Sequence, residues 1–184
     1  NFLTNCWWRM AAVRRGPGDG MIKAFHKRIP LSVPHMGGRE MEFVRRAFES
    51  NWLSTVGPNL DDLEARFAEL AGAKALAVCA GTAALHLALR LAGVGPGDEV
   101  VCQSLTFVAT ANPILYQGAT PVFVDSERQT WNMDPELLSR LLEAKARAGR
   151  LPKAVILVHI FGIAAQVGAV QAVVASPFAP GFAL

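Results

Sequence analysis

Charge is missing from the end of this chain: from Ala154 to Leu184 there is no Asp, Glu, Lys or Arg. A membrane-spanning helix needs about 20 consecutive apolar residues, so the length alone raises that reading. Gly162, Gln166, Gly168, Gln171, Pro177, Pro180 and Gly181 break the run into pieces. A buried strand followed by a small-residue helix fits better, and no membrane partner is expected. Cysteine is also scarce. Cys6, Cys79 and Cys102 cannot all pair, and the last two sit in apolar runs as expected buried, reduced thiols. That usage points to the cytoplasm rather than an oxidising compartment. An apolar leader is lacking too: residues 1–20 mix Trp, Arg and Gly without a secretory h-region. The reading therefore sets residues 1–20 aside as a non-native or disordered leader and places the native start at Met21.

What is present suits one compact domain. The 184 residues are 52% apolar, enough for a sizeable core. The net charge of +3 is small, and acids alternate with bases between Arg39 and Arg90, so no basic stripe points to nucleic acid. No Gly-x-Gly-x-x-Gly fingerprint follows a strand, which argues against a dinucleotide fold.

Periodicity predicts a helix over 38–50 and another over 60–71, the second capped by Asn59. From there the chain alternates. Strands are predicted at 76–79, 99–102, 121–124 and 154–159, with helices at 81–91, 108–116 and from Asp134 or Pro135 to about 148. Such alternation argues for a largely parallel α/β sheet covered on both faces.

Several stretches resemble, in order, the DegT/StrS family of sugar aminotransferases that depend on pyridoxal 5'-phosphate (PLP). They are Ile29-Pro30-Leu31, Gly37-Gly38-Arg39-Glu40, Trp52-Leu53-Ser54-Thr55 and the run from Ala80 to Leu89. Gly97-Asp98-Glu99-Val100-Val101, the run from Leu105 to Asn112 and that from Gly118 to Asp125 complete the set. The resemblance covers 29–162. It implies an α/β fold, specifically the amino-terminal part (residues 21–162) of the large PLP-binding domain of aspartate aminotransferase-like enzymes. Residues 163–184 read as a divergent uncharged tail, as a shift of reading frame would produce. The implied activity is amino transfer to a nucleotide-linked keto sugar, with glutamate as the usual donor, in a homodimer.

Site residues follow from both lines. Gly81, Thr82 and Ala83 open a helix after a short apolar run, where unpaired backbone N–H groups converge and can bind phosphate. The resemblance gives them the PLP phosphate; an ordinary capped helix start is the plainer alternative. Phe107 follows the 99–102 strand at the sheet's carboxyl end, where ligands of open α/β sheets bind. The resemblance stacks it on the pyridine ring, while composition alone would bury it in the core. Trp52, Ser54 and Thr55 correspond to a loop that shapes the substrate site. His86 reads as a packed histidine and Asp125 as a turn former.

Two chemical groups are missing from the resemblance. Amino transfer through PLP needs a Schiff-base lysine and an aspartate on the pyridine nitrogen. In the family both come after the strand that here ends near His159, where this chain has neither acid nor base. Lys74 and Lys153 precede strands, Lys145 lies on an outer helix, and Lys23 and Lys27 precede the domain. No catalytic residue is assigned. Two other readings are a non-catalytic remnant or accessory binding protein, and a PLP-dependent sugar dehydratase with an altered lysine position.

Overall fold

The computed structural model describes residues 33–176. The expectations for residues 1–20, for Met21 and for the end of the tail lie outside them. The chain divides into two units, residues 1–54 and 55–184.

In the first unit, α1 spans Glu40–Glu49. The Glu40 carboxylate accepts the backbone N–H groups of Gly37 and Gly38, so the residue before the first full turn is anchored by charge. Backbone hydrogen bonds, first its own N–H and then that of Gly37, hold the Glu40 carboxyl below its ordinary value. The guanidiniums of Arg39 and Arg46 each lie over the Phe43 ring, 5.1 and 5.8 Å from its centre. Met41, Phe43, Val44 and Phe48 have the helical spacing read from the sequence, yet all are exposed.

The second unit is built on a parallel sheet in the order β2-β1-β3. Its elements are α2 (Pro58–Ala71), α3 (Gly81–Leu91), β1 (Glu99–Gln103), α4 (Asn112–Tyr116), β2 (Thr120–Val124), α5 (Pro135–Arg147), β3 (Ala154–Ile156) and α6 (Val167–Val174). Strand alternation sends successive residues of β1 to opposite faces. Val101 joins Val124, Met133, Leu138, Leu142, Val155, Val170 and Val174 on one face. Val100 and Cys102 join Leu89, Val94, Ile114, Ala119 and Ala154 on the other. Helices thus cover both faces, α5 with α6 and α3 with α4, as a parallel sheet requires. The turn into β2 needs its glycine: Gly118 has φ +72°, and a Cβ there would press on Pro96 at 3.2 Å.

Several sequence expectations change. Leu76–Cys79 forms no strand; the Ala77 N–H is taken by the Glu64 carboxylate of α2 at 2.8 Å, and Leu76 and Val78 are exposed. Without sheet cover Cys79 is exposed, whereas Cys102 is buried as expected. The cap of α2 is Gly57 rather than Asn59, because Pro58 takes the first helical position with its ring-fixed φ. The helix expected at 108–116 is a short 3-10 turn (Val108–Thr110) followed by α4. Pro113 has no N–H to continue a helix, so it can only start one. β3 ends at Ile156, because the Val158 N–H turns to the Gln103 side chain at 3.4 Å. The tail holds a 3-10 turn at Ile160–Gly162 and then α6. None of the described helices is long and apolar enough to cross a membrane.

Candidate functional site

The N-terminus of α3 carries three backbone donors and no cap. Ala80 is extended (φ −162°, ψ 157°) and its methyl group accepts nothing, so no side chain closes the helix. The first intrahelical bond runs from Ala84 N to Ala80 O at 3.1 Å. The N–H groups of Gly81, Thr82 and Ala83 therefore lie ahead of the helical ladder, with the positive end of the helix dipole behind them. Gly81 is exposed and a Cβ on it would meet nothing within 4 Å, so an anion has room to approach. Thr82 is half-buried at the same turn. These features suit a phosphate group.

Phe107 is 68% exposed and is not core. It caps the 3-10 turn that follows β1, accepting the Thr110 N–H on its carbonyl at 2.9 Å. Thr106 and Thr110 hydroxyls share a hydrogen bond of 2.8 Å across that turn, and the turn packs against α3 and α4. The ring is thus held out from a braced segment rather than from a loose loop. His86 packs edge-on against Tyr116, with ring centres 5.6 Å apart. Trp52, Ser54 and Thr55 are exposed. Trp52 and Ser54 close the first unit and Thr55 opens the second.

Two positioning residues escaped the sequence reading. Gln103 is fully buried at the carboxyl end of β1; its Nε2 donates to Leu105 O at 2.8 Å and its Oε1 accepts the Val158 N–H. It ties the exits of β1 and β3 together. Asn132 is also fully buried. Its Oδ1 accepts the Ile160 N–H at 2.9 Å, and its Nδ2 donates to Ile163 O at 3.0 Å and to Thr130 Oγ1 at 3.1 Å. That amide fixes the turn in which His159 accepts the Ala165 N–H on Nδ1 at 2.9 Å. The signal in each case was a lone amide beside apolar neighbours, Val-Val-Cys-Gln and Trp-Asn-Met. Asp125 accepts the Ser126 N–H at 2.8 Å and the Ser104 hydroxyl at 3.2 Å, as a turn former does.

The covalent half of PLP chemistry has no place among the described residues. Lys145 Nζ binds the Glu99 carboxylate at the amino end of β1, and the Lys153 N–H donates to Glu99 O at 2.7 Å, so both lie at the opposite edge from Gln103. Lys74 is exposed just after α2. The start of α3 at residues 81–83 suits a phosphate group; no described lysine lies near it, since Lys145 and Lys153 are held at Glu99.

Comparison with known proteins identifies the family of the chain. Residues 34–177 match the DegT/DnrJ/EryC1/StrS aminotransferase family. The protein EpsN of Bacillus subtilis, provisionally described as a pyridoxal phosphate-dependent aminotransferase, is 57% identical over 142 residues, 77% of this chain and 37% of its own length. The GDP-perosamine synthase of Caulobacter vibrioides is 41% identical over 136 residues, 73% of this chain and 35% of its own. Among solved structures, the PLP form of a protein from Streptococcus pneumoniae, provisionally a sugar aminotransferase, superposes with a TM-score of 0.68 at 34% identity. That match covers 80% of this chain and 36% of the other. The chain spans little more than a third of the length of the relatives it matches. With its motifs, its parallel sheet and this match in hand, the chain belongs to the DegT/DnrJ/EryC1/StrS aminotransferase family.

Proposed function

We propose that this chain is the cofactor-phosphate-binding part of a PLP-dependent aminotransferase, and that in this form it binds PLP without transaminating. The observation that carries the reading is the uncapped start of α3, where three backbone N–H groups precede the helical ladder and Gly81 is open to solvent. The phosphate would sit on Gly81, Thr82 and Ala83, and the pyridine ring against Phe107. When bound, PLP supplies the electron sink for amino transfer. The complete enzyme would act on a nucleotide-linked keto sugar, with Trp52, Ser54 and Thr55 at the substrate side and glutamate as donor, in a cytoplasmic homodimer.

Titration of the purified chain with PLP and with pyridoxal tests this. PLP should bind measurably tighter than pyridoxal, because only PLP carries the phosphate. Borohydride should leave none of the described lysines stoichiometrically labelled with a pyridoxyl group. Equal affinity for the two would remove the phosphate role of α3, and conversion of bound PLP to pyridoxamine phosphate by glutamate, faster than in buffer, would overturn the claim of inactivity.

A further inference from the structure

Leu105, Thr106 and Phe107 are consecutive residues after β1, and each is tied down by a buried polar residue. Gln103, fully buried, donates from Nε2 to the Leu105 carbonyl at 2.8 Å. The Thr106 hydroxyl shares a 2.8 Å hydrogen bond with that of Thr110, which is 5% exposed. The Phe107 carbonyl accepts the Thr110 N–H at 2.9 Å. Thr110 thus clasps two successive residues, one with its side chain and one with its backbone. It closes a 3-10 turn that packs against α3 and α4.

A buried amide or hydroxyl is costly unless it is bonded, and once bonded it rigidifies what it touches. Here it does not rigidify the core. Leu105, Phe107 and Val108 are 39, 68 and 61% exposed, so their side chains gain little from burial. A segment with few apolar contacts and no anchor opens easily. The polar clasp removes that freedom from the backbone of Phe107 and leaves the ring in solvent. Such an arrangement suits a platform set in place before a ligand arrives, since less ordering is then lost on binding.

We propose that Thr110 is a positioning residue for the Phe107 ring, acting through its N–H on the Phe107 carbonyl and through its hydroxyl on Thr106, with Gln103 fixing the exit from β1. The use of the ring rests on the PLP reading above; the clasp does not.

The test compares the full 184-residue chain with Thr110→Val, which keeps the shape and the N–H of residue 110 and deletes its hydroxyl. Backbone 15N relaxation needs no ligand and comes first. Order should fall at residues 106–108 and stay unchanged at residues 81–83, and Thr110→Ser should restore it. Thr106→Val breaks the same bond from its half-buried side and should reproduce the effect, even where valine at 110 does not fold. Titrations with PLP and with inorganic phosphate follow. Thr110→Val should weaken PLP binding by about threefold and leave phosphate binding unchanged. On a Phe107→Ala background the same substitution should cost nothing more, because the ring through which it acts is gone.

Unchanged order at Phe107 in the valine variants overturns the clasp. Native PLP affinity in Thr110→Val overturns the positioning role, as does an equal loss with and without the Phe107 ring. A native chain that binds neither PLP nor phosphate removes the functional reading instead, and the relaxation result then decides the clasp alone.

Discussion

Lys145 Nζ lies 2.8 and 2.6 Å from the two carboxylate oxygens of Glu99, joining α5 to the first residue of β1. Both side chains are mostly buried, at 24% and 17% exposure, and Arg150 stands by at 3.7 Å with its own side chain largely in solvent. Lys145→Met leaves the Glu99 carboxylate with that exposed neighbour only. We expect a loss of about 1–3 kcal/mol in urea unfolding, the usual cost of stranding a partly buried charge. PLP affinity should not move, because the pair sits at the amino edge of the sheet. A parallel loss of PLP binding would mean that Lys145 reaches the cofactor.

Gly81 occupies the first position of α3, where proline is well tolerated because that N–H is outside the ladder. The extended backbone of Ala80 (ψ 157°) also suits a residue preceding proline. Gly81→Pro should therefore fold normally while deleting one phosphate donor. A hydrogen bond to a charged group is worth about 1.5–3 kcal/mol, so PLP affinity should fall by about 10- to 100-fold while pyridoxal affinity is unchanged. Equal losses for both ligands would point to a disturbed fold.

Asn132 holds the turn after β3 by bonds to Ile160 and Ile163 in a fully buried position. Asn132→Ala strips the Ile160 N–H of its partner and opens a small void. The expected cost is about 2–4 kcal/mol in chemical denaturation. A change within experimental error would show that water replaces the amide without penalty.

The sheet was legible in the sequence because its strands are short apolar runs bounded by turn chemistry. Glu99–Gln103 and Thr120–Val124 lie within one residue of expectation, and α3 begins and ends where predicted. Asp134 caps α5 through the Glu136 and Leu137 N–H groups, as an aspartate before Pro135 suggests. What failed was anything decided by a distant partner. The run at Leu76–Cys79 has strand composition, but strand formation depends on a paired neighbour, and its Ala77 N–H goes to a side chain instead. The apolar faces of α1 and α2 were readable as faces, yet Phe43, Phe48, Leu63 and Phe67 stay exposed. At the candidate site, the start of α3 was visible as Gly-Thr-Ala opening a helix, whereas Gln103 and Asn132 act through contacts tens of residues away.

Cys79 and Cys102 should part company in their reactivity. Cys102 lies between β2 and β3 at 0% exposure, and burial pushes its thiol pKa up to about 11. The thiolate is the reactive form, so the native chain at pH 8 should alkylate at Cys79 and spare Cys102, with peptide mapping as the readout. The same shift makes stability depend on pH. A thiol whose folded pKa exceeds its unfolded value contributes fully below the unfolded pKa of about 9, and that contribution is lost as pH rises toward 11. Unfolding free energy should therefore fall across that alkaline window in the native chain. Cys102→Ala should flatten the alkaline slope while lowering stability at pH 7 through the small void it leaves. An unchanged slope in Cys102→Ala would assign the alkaline loss to other groups.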